Sequence, residues 1–363
     1  YFSLNQGGEW QSLMTNLPSS PMYWMDIPEH FNDLVVGTYG RGIWILDDLT
    51  PIQQFTNDVA ESSLHLFDPK DAYRLHPVSS VMQFFKEPSF GDDPPVGTSL
   101  HYWQAEEMED EVKLVISNAA GETVRTIEHK GQAGINRVWW DFKEDPTTEL
   151  VLRTKPVYAD WYPLDEDGTR KSVVQPLSLM ASPGQYTVTL NAGDLEQSHQ
   201  FEVMKDPNSE GSLDDISAQK ALLDQIRADF EEISLAVNEA ERVRRQLRDL
   251  LPMLPEEMQE EVKVLDDSVT AIENQMLQIQ HTGKGQDVIR LPGKLMEKLA
   301  YLASTVAIAD FRPADQYLEV YESLHQEWTA SASAWNGVKS GEVAAMRERL
   351  IAEQLGPLVI GSD

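Results

Sequence analysis

Near residue 211 the sequence changes from one period to another, and this break constrains the fold more than any single motif. Residues 1–211 hold fifteen of the twenty prolines and seven of the nine tryptophans. Their short alternating apolar segments are punctuated by Gly, Pro, Asn and Asp, which is the pattern of strands and turns. Residues 212–363 hold five prolines and long stretches of Leu, Glu, Gln, Arg and Ala at helical spacing,. The chain of 363 residues is long enough for two or three domains,. We therefore expect a multidomain β plus α protein, β first and helical second.

The helical half is the easier to read. Leu223, Ile226, Phe230, Ile233, Val237, Ala240, Leu247 and Leu251 follow a 3-4 spacing interrupted only by Arg244. Met258, Val262, Leu265, Val269, Ile272, Met276 and Ile279 follow the same spacing unbroken. Pro252 and Pro255 lie between the runs, where proline stops one helix and opens the next. The expected structure is a long antiparallel helical hairpin whose first helix, from about Ser212 to Leu251, would be roughly 60 Å long and would project. Its seam is narrow, as in a coiled coil, and Arg244 is expected to snorkel at its edge. Beyond a Gly/Lys-rich loop at 282–286, Leu291 to Val306 and Tyr317 to Trp335 predict further helices. A three- or four-helix bundle over 208–363 is the natural closure. Ala344 to Leu355 is an amphipathic tail helix ending at Gly356-Pro357.

Charge and composition exclude several function classes. Sixty acidic and 29 basic residues give a net charge of −31, with 33 acids and 14 bases before residue 212 and 27 and 15 after it. An evenly acidic chain repels phosphate backbones, so nucleic acid is excluded as a partner. No run of about 18 apolar residues is present, and no membrane insertion is expected. With no cysteine there is no disulfide, thiolate metal site or cysteine nucleophile,. The eight histidines are scattered without metal-ligand spacing, and no nucleophile elbow, phosphate-binding glycine loop or zinc-protease helix occurs,. No catalytic residue and no cofactor is assigned. Asp165-Glu166-Asp167-Gly168 has the opening of a calcium loop, but Pro176 stands where an EF-type loop needs its bidentate Glu,. A solvated turn is the preferred reading there, with calcium at Asp165 and Asp167 left open. Trp161 and Tyr162 fall in a long segment, 148–182, that is expected to pack on the propeller or on the helices.

The first fifty residues resemble one blade of a propeller. Ser3-Leu4-Asn5-Gln6-Gly7-Gly8-Glu9-Trp10 resembles the Asp-box of bacterial-neuraminidase-type repeats, with Asn5 in place of the Asp and Glu9 in place of the Thr. Ser3, Asn5, Gly7 and Trp10 are structural in that motif: side chains close a hairpin, glycine takes positive φ, and tryptophan fills the space between blades. The run Asp33 to Asp48, two apolar strands joined by Gly40-Arg41-Gly42, is similar to the last blade of secreted propeller proteins related to sortilin and called glycosyl-hydrolase-like. Leu64 to Arg74 resembles that family's linker. Pro94 to Trp103, Val112 to Ile116, the turn Asn118 to Glu122, Val124 to Ile127, Gly134 to Phe142, Pro183 to Leu190 and Gln200 to Val203 resemble the Ig-like β-sandwich of flagellar hook-capping proteins.

The resemblance implies four parts: a terminal β-propeller blade at 1–55, a linker packing on the propeller at 56–93, an Ig-like β-sandwich at 94–207 with the insertion 148–182, and the antiparallel helical bundle at 208–363. A lone blade cannot bury its faces, so its first expected partner is the rest of its own propeller, in preceding chain or in a separate fragment. The implied location is extracytoplasmic. Three functions follow: a binding or scaffold module for a carbohydrate or protein ligand, an accessory part of a glycoside hydrolase whose catalytic residues lie in other blades, or a sortilin-like peptide receptor. Within the blade Asp26, Asp33, Asp47 and Asp48 are candidates for a carboxyl lining the propeller mouth, and Arg41 reads as a turn residue between two glycines.

Overall fold

The computed structural model describes residues 1–3, 5–14, 16–28, 31–76 and 95–361. Leu4 of the box, residues 77–93 of the expected linker and Pro94 lie outside the described residues. The protein mixes β and α structure and forms two compact units. The first comprises Tyr1–Asp145 and Met180–Ser209, the second Pro146–Leu179 and Glu210–Asp363.

In the first unit, β1 (Met22–Asp26), β2 (Leu34–Thr38) and β3 (Ile43–Leu46) form a three-stranded antiparallel sheet in sequence order. The β2–β3 turn is made by Gly40 and Gly42, both at positive φ. After it come two short helices, α1 (Thr50–Gln54) and α2 (Asn57–Glu61), the latter capped by the Thr56 side chain. The chain then enters two further sheets. One has the order β4 (Leu64–Leu66), β6 (Thr98–Gln104), β9 (Gly134–Trp140). The other runs β5 (Ala72–Arg74), β13 (Leu195–Lys205), β12 (Gly184–Ala192), β7 (Val112–Asn118), β8 (Thr123–His129). All pairs are antiparallel except β5 on β13.

These two sheets share one buried cluster, because alternate residues of each point into it. Leu100 and Tyr102 from β6 and Val138 and Trp140 from β9 meet Leu114, Ile116, Val188, Leu190 and Phe201. Trp140 sits at its centre, with Phe142, Tyr186 and Phe201 rings 5.2 to 6.1 Å away. Burying side chains of this size contributes about 1.5–3 kcal/mol each. Turn chemistry sets the register. Asn118 accepts from the backbone N–H of Ala120 and Glu122, while Gly193-Asp194 closes β12 onto β13 with Ala192 opposite Leu195,.

The second unit is built on α3 (Leu213–Leu250), 38 residues long and opened by a Ser212/Asp215 capping box,. A single 3₁₀ turn at Leu251–Met253 reverses the chain into α4 (Glu256–Met276). A short α5 (Asp287–Arg290) precedes α6 (Leu295–Val306) and α7 (Asp315–Val338). A π turn at Lys339–Val343 then carries α7 directly into α8 (Ala344–Ala352). Residues 146–179, with the two-stranded β10 (Val151–Leu152) and β11 (Arg170–Lys171), lie along α3 and contribute Leu150, Leu152, Val174 and Leu179 to the helical core.

Three helical expectations are corrected. The first long helix does not project: its buried side chains run from Ile216 to Leu247, because α4, α6, α7 and residues 146–179 all pack on it. The second ends at Met276, where Leu277 turns extended, so Ile279 lies in the following loop. Arg244 does not snorkel. It is fully buried and paired with Glu241 and Glu273, which are buried beside it, and with Asp266. Burial, reinforced by the neighbouring Glu241 charge, pushes the Glu273 carboxyl well above the usual range despite Arg244. Burial opposes the Arg244 charge, but Glu273, Glu241 and Asp266 outweigh it and raise its pKa.

Candidate functional site

The three-stranded sheet departs most from ordinary burial. Its register aligns Trp24 with Gly37 and Ile43, and Asp26 with Val35 and Ile45. Alternation puts these residues on one face. Trp24 is 74% exposed, Ile43 73% and Ile45 58%. Gly37 leaves room for the indole, with Trp24 Cβ 3.8 Å from where a Cβ on Gly37 would stand. On the opposite face Leu34, Val36, Trp44 and Leu46 border a cavity of about 370 Å³ with Pro51, Ile52, Ile135 and Arg137. One face is thus open to solvent and the other half covered. Large contiguous apolar surfaces of this kind mark contact sites.

Ahead of the sheet, the box residues close a small hairpin. Ser3 Oγ accepts from Gly7 N at 2.7 Å and donates to Asn5 Oδ1 at 3.0 Å, and Asn5 Oδ1 accepts from Glu9 N at 2.8 Å. Phe2 and Gln11 exchange both backbone hydrogen bonds at 2.9 Å. Gly7 has φ +89°, and the Trp10 ring lies 3.6 Å from where its Cβ would be. Trp10 itself is exposed.

Where the sheet meets β6, a polar cluster is buried. Asp48, in the left-handed region at φ +57°, accepts from Thr50 N at 3.1 Å and Ser99 Oγ at 2.8 Å. Its own N–H donates to Asp33 Oδ1 at 2.8 Å. His101 Nδ1 is 3.7 Å from Asp48, and its Nε2 accepts from Arg137 Nε at 3.1 Å. Arg137 also donates to the Asp47 carbonyl at 2.7 Å. Burial favours the neutral form of Asp48, but hydrogen bonds from Thr50 and Ser99 and the nearby Lys70 and His101 charges hold its carboxyl below the usual range. Burial pushes His101 down to about 4, with Asp48 opposing and Arg137 and Lys70 assisting. The sequence reading missed His101 and Ser99. Their signal was polar residues alternating with Leu100 and Tyr102 on a strand buried on both faces.

Of the other blade acids, Asp26 caps its neighbour Ile27 N, and Asp47 lies 3.7 Å from Arg137. Asp48 cannot serve as the proton-donating partner of a hydrolytic pair, which needs a raised pKa. Ser99, His101 and Asp48 do not form a nucleophilic triad either, since the serine proton goes to the aspartate. Asp165 and Asp167 sit in a turn closed by Gly168 N on the Asp165 carbonyl, and Asp167 accepts from Thr169 N and Oγ1. Among the described residues no group of three His, Cys, Asp or Glu is placed to hold a metal, and no helix is long and apolar enough to cross a membrane. Trp161 and Tyr162 pack 5.9 Å apart under the Lys284 ammonium.

No protein-family model matches the chain, and no curated protein matches it.

Proposed function

We propose that this chain is the C-terminal portion of an Asp-box β-propeller protein of the sortilin-like, glycosyl-hydrolase-like kind, acting as a binding and scaffold module. In this reading β1, β2 and β3 belong to the terminal blade, the two sheets around Trp140 are the Ig-like sandwich, and the helices are the appended bundle. An extracytoplasmic location goes with it. The observation that carries the proposal is the open face of Trp24, Ile43 and Ile45. A sheet of three short strands with a bare apolar face needs a neighbour to be stable. The hairpin closed by Ser3 and Asn5 supports it, since that is the task the box performs in propeller repeats.

Hydrogen exchange of the isolated chain tests the proposal. Amides of β1 to β3 are expected to exchange at least a hundredfold faster than those of β6 and β12. Full protection of β1 to β3 in the isolated monomer would overturn it. So would glycosidase activity of the isolated chain that is lost on substituting Asp33 or Asp47.

A further inference from the structure

A second cavity, of about 220 Å³, opens beside the buried polar cluster within the first unit. Asp33, Lys70 and Thr98 converge on it together with the rings of Phe31, Tyr73 and Trp139. Thr98 is 2% exposed, and its Oγ1 makes no hydrogen bond among the described residues. A buried hydroxyl without a partner is uncommon and calls for a missing one. Its position is fixed by Gly97, at φ +134°, where a Cβ would fall 2.1 Å from the Trp140 carbonyl oxygen, so only glycine lets the backbone pass that close,. Lys70 donates to the Phe31 carbonyl at 2.6 Å, but its carboxylate neighbours Asp33 and Asp48 stand at 4.0 and 3.9 Å, beyond hydrogen-bond length,. Donors of Lys70 therefore remain to be used. Asp33 accepts from Asp48 N through Oδ1, which leaves Oδ2 as an acceptor.

We infer that this cavity is a binding site for one neutral sugar ring. A donor, an acceptor and a hydroxyl that can be either are set around a space smaller than the 300 Å³ or so of common ligand pockets. Ring hydroxyls both donate and accept, and so satisfy all three at once. Four lining aspartates, Asp33, Asp47, Asp48 and Asp71, oppose an anionic ligand, while the Lys70 ammonium already occupies the place between Asp33 and Asp48 that a ligand cation would seek, which favours a neutral ligand. The flat rings of Trp139 and Tyr73 suit the C–H face of a pyranose. Because Phe31 and Asp33 lead into β2 and Asp48 follows β3, the site needs that sheet folded, whatever lies over its open face.

Calorimetric titration of the whole chain with glucose, galactose and N-acetylglucosamine, each alone, tests the inference, with choline as the cationic comparison. At least one sugar should bind saturably with a Kd on the order of millimolar. Asp33→Asn, Lys70→Met and Thr98→Val should each weaken it tenfold or more, and Trp161→Ala should leave it unchanged. Lys70 is half-buried, so its variant keeps the test valid should the Thr98 variant unfold. The inference is overturned if no sugar saturates, if choline binds more tightly than every sugar, or if folded Asp33 and Lys70 variants bind as the parent does. Exchange of β1 to β3 followed in the same sample shows whether the sheet carrying Phe31 and Asp33 is folded when sugar is added, so failure of one proposal is told apart from failure of the other.

Discussion

The three-stranded sheet carries apolar side chains outward, while the helical unit carries charges inward. Each inverts the usual rule, in opposite directions and with opposite implications. Trp24, Ile43 and Ile45 face water, and nothing among the described residues is laid over them. Glu241, Arg244 and Glu273 are shut away from water, and most of their polar atoms find partners inside the unit, Arg244 Nη2 and Glu273 Oε1 being the exceptions among the described residues. Glu241 accepts from the backbone N–H of Arg153 and Thr154 and from the Thr154 hydroxyl, and Arg244 spans both glutamates. Buried charge that is internally matched belongs to a finished fold, whereas exposed apolar surface without a match points to something outside it.

The largest test of this contrast is Arg244→Met. Removing the guanidinium leaves two buried carboxyl groups without their common partner and should cost about 3–5 kcal/mol in urea unfolding followed at the helical signal. Adding Glu273→Leu to the same chain should recover part of the loss. If Arg244→Met alone is neutral, the helical cluster is no more finished than the sheet.

Next in size is the pH response of the first unit. An unfolded His101 takes up a proton near pH 6.5, the folded one only near pH 4. Between those values the unfolded state binds more protons, so stability falls as pH drops, by up to about 3 kcal/mol. The depressed Asp48 carboxyl adds a further loss as pH falls below 3.8 toward its folded value. Exchange rates of β6 amides across this range should show the decline, and His101→Gln should flatten it above pH 4.

A smaller effect is expected at the β7–β8 turn. Asn118→Ala removes two side-chain hydrogen bonds to backbone and should lower stability by about 1 kcal/mol, measured by the denaturation midpoint,.

Smallest of all is Ile43→Thr, on the bare face of the sheet. It should change the stability of the isolated chain by no more than about 0.5 kcal/mol, while reducing binding of a hydrophobic dye. A loss of several kcal/mol would mean that the face is covered in the free chain, and the contrast would collapse.

Much of this architecture was legible because it rests on periodicity. The helix from Leu213 follows from apolar spacing, while the strands β7 to β9 and the turn at Asn118 were expected through the resemblance to an Ig-like sandwich,. The long insertion was visible as too long for a loop, and packing on the helices was one of its two expected places, but the contacts that dock it along α3 were not legible, since they depend on polar side chains reading backbone. Glu231 accepts from Thr148 N and Oγ1, and Asn238 accepts from Val151 N while donating to the Glu149 carbonyl. No period announces such pairs. Arg244 misled for a related reason: a charge within an apolar stripe looks like an edge residue unless the opposing helix is known to bring Glu273 to its level. The Asp48–His101 cluster joins residues more than fifty positions apart in sequence, and only the pairing of β4, β6 and β9 puts them together.

The π turn at Lys339–Val343 has a consequence of another kind. Buried positions on α7 end at Trp335 and resume at Val343, eight residues on, where an uninterrupted helix would return to the same side after seven,. The wide turn absorbs that one surplus residue, so Met346 and Leu350 come round to the same core as Leu324 and Trp328. The helix thereby has a place where a gene can lose a single codon and keep both halves in phase,. Deleting Gly341 should convert the turn to ordinary α-helix and leave the packing of α8 intact.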